Sequence, residues 1–336
     1  GVPLADAMSE ALGLRTNGSA LSEARRNKYR MVDTVQAAGL RSADQLVTTD
    51  ADAAVAWATA ADYWPCVAKP LASASTDGVF ICRDAADLRA AFPAILSTKD
   101  IFDGNNERVL VQSFLTGTEY IVDTVSVDGH AYVCGVWQYD KRLLTNGKPI
   151  YNRDILIDAA DPVVTQLVDY TRKMLDALGI HNGPAHSEVI VGPDGPALVE
   201  VGARLNGNMQ PAFHDLCLGA NQADLTALAF VRPDEFLATR GDGVYQVQQP
   251  AIVFNTPTEL SGRVTAIDDA LVAEILRRPS VFDLTLKRRP GDVITPTHDL
   301  LTSPIRIFMT APDTATLDAD YRFIDSVRDS VYLVQP

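Results

Sequence analysis

The sequence predicts an α+β protein of two or three packed subdomains, the last of them rich in strands. Three observations carry this. Capped helices alternate with short β-branched runs from about residue 20 to about residue 231. Beyond Gly243 the chain reads mostly as strands separated by Pro-Gly turns. With 336 residues it exceeds the roughly 100–200 of a single domain, and no internal repeat of solenoid length replaces that division.

In order along the chain, residues 1–20 form short helical pieces broken by Gly13 and the Asn17-Gly18 turn. A helix is expected from Ser22, which can cap its first turn, to Gly39, which can adopt the left-handed conformation past its end. It carries Arg25, Arg26, Lys28 and Arg30, and a second helix covers 51–61. Short β runs follow at Cys66–Lys69, Val79–Cys82 and Val109–Phe114, with a helix from Asp84 to Ser97 between the last two. Glu119–Val127 and Ala131–Tyr139 form a hairpin through Asp128-Gly129, and 140–158 reads as a long polar loop. Asp161-Pro162 opens a helix that Gly179 ends. A hairpin at His186–Val201, a helix over 213–231 and a helix near 268–278 complete the expectation.

Charge and cysteines exclude several classes of function. The net charge is -14, from 43 acidic and 29 basic residues, which argues against a nucleic-acid partner. Cys66, Cys82, Cys134 and Cys217 are far apart, with no CxxC pair, and read as buried free thiols in a reducing compartment. No apolar run reaches the roughly 18 residues of a membrane helix and no signal peptide is recognised, so a cytoplasmic protein without a membrane partner is expected.

The chemistry concentrates in the hairpin HSEVIVGPDGPALVEVGARLNGN, residues 186–208. A three-residue loop at Pro193-Asp194-Gly195 sets Glu188 opposite Glu200, where facing side chains lie about 4.5–5.5 Å apart and like charges repel. A divalent cation is the simplest compensator, and hard Mg²⁺ prefers one or two carboxylates plus substrate phosphates. Arg204 follows where the strand gives way to a loop, placed to clamp a phosphoryl group or a carboxylate. Asn206, Gly207 and Asn208 can offer backbone donors to an oxyanion. The bland alternative is a solvated acidic hairpin with one salt-bridging arginine.

Two further segments are weaker alone. Lys69 ends a strand before a loop of small residues and hydroxyls that suits phosphates, although no Walker motif is present and a plain surface loop is the alternative. In VLVQSFLTGTEYIVD, 109–123, an apolar linker can hold adenine and Glu119 or Asp123 beyond it can reach ribose hydroxyls; two ordinary strands with a crossover is the alternative. Lys28 reads alone as a solvated cation, and Trp137, Tyr139 and Lys141 either line a substrate pocket or end a strand. His186 and His214 read as structural.

In this order the pieces resemble the ATP-grasp superfamily, and within it the carboxylate–amine ligases of the L-amino-acid ligase group. The resemblance rests on NKYRM at 27–31, VAKP at 67–70 with its Ser/Gly loop, and VQSFLTGTEY at 111–120. HSEV at 186–189 and LVEVGARLNGN at 198–208 complete it. It implies an ATP-grasp fold of two α+β subdomains, 21–115 and 116–235, that grip ATP, followed by a β-rich subdomain at 236–336. Relatives carry an N-terminal α/β domain of which residues 1–20 would be the remnant or linker.

The resemblance also implies roles. Lys28 and Lys69 contact ATP phosphates under a loop containing Ser73, Ser75 and Gly78. Gln112, Phe114 and Leu115 hold adenine, Glu119 reaches the ribose, and Glu188 and Glu200 bind Mg²⁺, with Mn²⁺ the alternative metal. Arg204 stabilises the acyl phosphate, and Asn206, Gly207, Asn208 and Lys141 face the substrate. Many relatives have Asn two residues after the second metal Glu, where this chain has Gly202. The expected reaction joins a small-molecule carboxylate to an amine through an acyl phosphate, giving ADP and phosphate, and a homodimer is compatible with it. The rivals are a carboxylase, a ligase of another carboxylate, or a non-catalytic nucleotide binder.

Overall fold

The computed structural model describes residues 1–72, 78–99, 104–143 and 149–335, so Ser73 and Ser75 lie outside the described residues. The order of elements begins α1 Val2–Ala11, α2 Lys28–Ala37, β1 Gln45–Thr48, α3 Ala51–Ala60, β2 Cys66–Lys69, β3 Phe80–Cys82, α4 Ala85–Leu96 and β4 Val109–Ser113. It continues with β5 Thr118–Val127, β6 His130–Leu143, β7 Pro149–Leu156, α5 Pro162–Ala177, β8 Gly183–Gly192, β9 Gly195–Gly202, α6 Pro211–Leu218, α7 Gln222–Val231 and α8 Pro233–Thr239. The last part holds β10 Ala251–Thr256, β11 Gly262–Ile267, α9 Asp269–Leu276, β12 Val281–Leu286, β13 Val293–Ile294, β14 Ile305–Thr310, α10 Thr314–Val327 and β15 Tyr332–Gln335. This is the α+β architecture that the sequence led us to expect. No helix among the described residues is long and apolar enough to cross a membrane.

The chain forms two compact units. The first comprises Gly1–Cys134, Pro162–Gly207 and Gln222–Val244. Within it an antiparallel sheet runs β1-β4-β2-β3. One face, with Cys66, Ala68, Cys82, Val109 and Val111, packs on Ala54, Ala58, Leu88, Phe92 and Ile95 of α3 and α4. Strand alternation then puts Val67, Lys69, Leu110 and Gln112 together on the other face, since Val67 pairs with Gln112 and Lys69 with Leu110. A second antiparallel set joins β5 to β8 and β8 to β9. The apolar side of α5 buries Leu167, Met174 and Leu175.

Several local expectations change for identifiable reasons. Helix α2 starts at Lys28, because the Ser22 hydroxyl donates instead to Asp6 at 2.7 Å. Asn27 caps α2, its side-chain oxygen accepting from the Tyr29 and Arg30 amides at 3.0 and 3.2 Å, and Gly39 does take a φ of 77° past the end. The expected helix over 213–231 is split into α6 and α7 by Gly219, at a φ of 72°. The stretch read as loop carries the end of β6 and all of β7, with 144–148 outside the described residues. All four cysteines are buried and free.

One crossing of the chain is tight enough to set a prediction. Gly117 has a φ of 146°, and a Cβ there would stand 2.3 Å from the Val191 carbonyl oxygen. Backbone cannot move aside as a flexible side chain can. Gly117→Ala should therefore destabilise the protein by about 2–3 kcal/mol, read as a lower midpoint in urea unfolding.

The second unit comprises Gly135–Asp161, Asn208–Asn221 and Tyr245–Pro336. Its antiparallel strands run β12-β14-β10-β7-β6, and a smaller sheet runs β13-β11-β15. Ile252, Phe254, Ile305, Ile307 and Met309 form one core with Leu317, Tyr321 and Ile324 of α10. Helix α10 was not foreseen, although Asp313 caps it by accepting from the Thr316 amide at 2.8 Å. Its buried residues recur at helical spacing.

Candidate active site

The carboxylate pair forms by a route the sequence did not indicate. Gly192 pairs with Gly195 and Val189 with Leu198, so the turn is the two residues Pro193-Asp194 and alone would set Glu188 against Val199. A bulge at Val199 adds one residue to β9 and restores the pairing of Glu188 with Glu200. The expected juxtaposition is therefore present. On its other side Glu188 pairs with Ile121 of β5, and the same register sets His186 opposite Asp123.

Each carboxylate has a cation beside it. The Lys28 ammonium lies 2.5 Å from a Glu200 carboxylate oxygen, and His186 Nε2 lies 3.8 Å from Glu188. Lys28 reaches Glu200 because it opens α2, and its backbone N–H donates to the Leu71 carbonyl at 3.0 Å. That bond also holds the start of α2 against the chain just beyond Lys69.

Lys69 is 7% exposed, at the end of β2. Burial and then Lys28 push its ammonium down and Glu200, Glu188 and Glu119 pull it up, which together bring it from 10.5 to about 8. Lys28, Glu119, Glu188 and Glu200, from α2, β5, β8 and β9, thus all act on Lys69 of β2. The cluster is a partly buried, unevenly balanced set of charges that a polyphosphate and a divalent cation would complete.

A network the sequence did not reveal supports the loop after β9. Asp123 is buried and uses both oxygens, one 2.8 Å from His186 Nδ1 and the other accepting from the Asn206 amide group at 2.8 Å. Burial lowers the His186 imidazole, but Asp123 and then Glu188 raise it to about 10. Gln222 accepts from the Asn206 backbone N–H at 2.8 Å and donates to the Thr124 and Ala185 carbonyls at 3.0 Å each. The 203–207 segment is therefore held to the strands that carry the carboxylates. Only the alternation that puts Asp123 on the Glu119 face was a signal in the sequence.

The remaining candidates fall as follows. Gln112 is buried and its amide donates to Gln45 at 3.3 Å, on the Lys69 face of the sheet. Leu115 is half-buried, whereas Phe114 lines a groove with Asp62, Tyr63, Trp64, Pro65 and Thr116. Gly78 has a φ of 66° and lies against Pro70. Arg204 is exposed and donates to the Leu205 carbonyl at 2.7 Å. Its side chain lies over Gly202, where a Cβ would stand 3.2 Å from Arg204 Cγ. Gly202 in place of Asn thus leaves room for that arginine. Gly207 is exposed; Asn208 and Lys141 belong to the second unit, where the Lys141 ammonium sits 4.8 Å from the Tyr151 ring centre.

Metal binding can be tested on this donor set. Among the described residues no three His, Cys, Asp or Glu side chains gather as a complete metal site. Two facing carboxylates, each now neighboured by a cation, still fit Mg²⁺, which keeps waters and takes oxygens from substrate phosphates.

Comparison with known proteins bears on this geometry. The ATP-grasp domain family matches residues 63–212. Dapdiamide A synthase of Enterobacter agglomerans is 34% identical over 333 residues, covering 98% of this chain and 78% of that protein. The L-amino acid ligase of Bacillus licheniformis superposes with a TM-score of 0.77 at 21% identity, over 99% of this chain and 78% of its own. N5-carboxyaminoimidazole synthase of Aspergillus clavatus, in complex with ADP and an aminoimidazole ribonucleotide, gives a TM-score of 0.69 at 15% identity, over 96% and 79%.

This chain is an ATP-dependent ligase that forms carbon–nitrogen bonds. It belongs to the ATP-grasp family.

Proposed function

We propose that the protein joins the carboxylate of an amino acid to the amine of a second small molecule, forming an amide or dipeptide, with ATP converted to ADP and phosphate. The mutual approach of Lys28, Lys69, Glu119, Glu188 and Glu200 is the single observation that carries it. The 34% identity to dapdiamide A synthase supports amide formation, and the fold shared with an L-amino acid ligase agrees with amino-acid substrates.

In this mechanism Lys69 and Lys28 bind the ATP phosphates, Gln112 and Leu115 bound the adenine, and Glu119 meets the ribose. Glu188 and Glu200 would hold Mg²⁺, which supplies charge neutralisation at the phosphate oxygens when bound. A carboxylate oxygen of the first substrate attacks the γ-phosphorus and ADP leaves. The amine of the second substrate then attacks the acyl carbon. The C–N bond forms, the C–O bond to phosphate breaks, phosphate departs with the electron pair, and the amine gives up a proton. Arg204 stabilises the oxyanion of that step, a task worth about 10²–10³-fold in rate for one well-placed donor.

Two measurements test this. Phosphate release from ATP, screened across amino-acid pairs, should rise for particular pairs with ADP as co-product; no stimulation by any pair, or turnover that depends on bicarbonate, would contradict it. The second reads Lys69. A neighbouring triphosphate raises the pKa of an ammonium that stands at about 8, so ATP binding takes up protons above that pH and its affinity falls as pH rises toward 10.5. Calorimetry in buffers of different ionisation heat should show this uptake, and its loss in Lys69→Met.

A further inference from the structure

A second charged constellation lies wholly in the second unit. Arg306 of β14 pairs with Asn255 of β10, and its Nε donates to the Asn255 side-chain oxygen at 3.2 Å. Asn255 is fully buried, and its amide nitrogen has no hydrogen-bond partner among the described residues. The amide is therefore anchored at its oxygen and left with donor capacity beside the guanidinium. Arg306 itself is half-buried, and among the described residues its terminal nitrogens make no ion pair or hydrogen bond.

A second cation stands beside it. Thr285 pairs with Arg306, and two residues on, the Lys287 N–H donates to the Pro304 carbonyl at 2.9 Å, which continues the register and puts Lys287 on the Arg306 face. The Lys287 ammonium donates to the Leu300 carbonyl at 3.1 Å and is lowered to about 8, first by burial and then by Arg306 and Arg288, with Asp299 opposing. Asp154, on the neighbouring strand β7, acts on Arg306 without reaching ion-pair distance. Arg306 and Lys287 thus share one face, with Asp154 acting on the first and Asp299 on the second. Half-buried cations this close together are stabilised when an anion completes them.

We propose that Arg306, Asn255 and Lys287 form a subsite for the carboxylate group of a free amino acid. The planar guanidinium fork matches a carboxylate in a two-bond arrangement, and the Asn255 amide adds a third donor. Asp154 and Asp299 nearby repel a phosphate dianion more strongly than a monoanion. Phe308, two residues along β14 on the same face, offers an apolar wall beside it. The choice of an amino acid rests on the proposed function; the anion subsite does not.

Calorimetric titration of the full chain, without ATP, against each of the twenty amino acids tests the subsite. At least one should bind, its α-amide should bind at least about tenfold more weakly, and Arg306→Gln should lose at least about tenfold in affinity. Inorganic phosphate should not displace the bound amino acid. Arg306→Lys keeps the charge and loses the fork, so it should also bind more weakly at an unchanged melting temperature, which carries the test if the Gln variant folds poorly. The proposal is overturned by equal binding in the Lys variant, an amide that binds as well as its acid, displacement by phosphate, or no binding by any of the twenty. Binding that is lost in the variants upholds the subsite even where no amino-acid pair stimulates ATP turnover.

Discussion

Glu188→Gln should lower ligation by about 10²–10³-fold and leave the protein at least as stable as before. The two effects have separate causes. The carboxylate faces Glu200 directly across β8 and β9, so in the free protein the substitution relieves a repulsion between like charges that outweighs the longer 3.8 Å contact with His186 it gives up. It also removes half of the anionic oxygen set on which Mg²⁺ and the phosphates would be positioned. A residue kept for stability would show the opposite pattern, with activity falling only as the protein unfolds. Steady-state phosphate release and thermal melting, measured on the same sample, distinguish these cases. Raising Mg²⁺ should recover part of the lost rate.

Lys69→Met should show the same divergence in a stronger form. A lysine brought from 10.5 to about 8 carries a folding cost of about 3 kcal/mol while it is protonated. Below about pH 8 the folded and unfolded states are both protonated and the whole cost is present. Between about 8 and 10.5 the unfolded state binds more protons, so stability rises with pH across that window. Methionine fills similar space without charge, so the variant should melt higher at neutral pH and lose the pH dependence. The KM for ATP should rise by about 10–100-fold, the value of one charge-assisted contact to phosphate, with a further loss in kcat. A variant that melts lower and still binds ATP normally would contradict this account of Lys69.

Much of the site was legible because it lies on short strands whose alternation is fixed. Lys69, Gln112 and the Glu188–Glu200 pair follow from runs of four to ten residues with regular side-chain alternation. The pairing of Glu188 with Glu200 came out as expected although the path to it was different. A three-residue turn and a two-residue turn with a bulge give the same offset, and counting residues cannot tell them apart. Lys28 read on its own as a solvated cation and was marked only by the family resemblance, since its position depends on Asn27, and not Ser22, capping α2. Ser22 is drawn to Asp6 by a contact across 16 positions that no local pattern records. The Asp123–His186–Asn206–Gln222 network was missed for the same reason: each residue is ordinary in its own segment. Helix α10 was legible in principle, through Asp313 and the spacing of Leu317, Tyr321 and Ile324.

The central claim is that a carboxylate oxygen is phosphorylated at the cluster of Lys69, Glu188 and Glu200 before the amide bond forms. The direct measurement uses an amino acid labelled with ¹⁸O in its carboxylate, under conditions in which a productive pair turns over. One labelled oxygen should appear in each inorganic phosphate released, with ADP as the nucleotide product. Unlabelled phosphate, or AMP and pyrophosphate in place of ADP and phosphate, would contradict it.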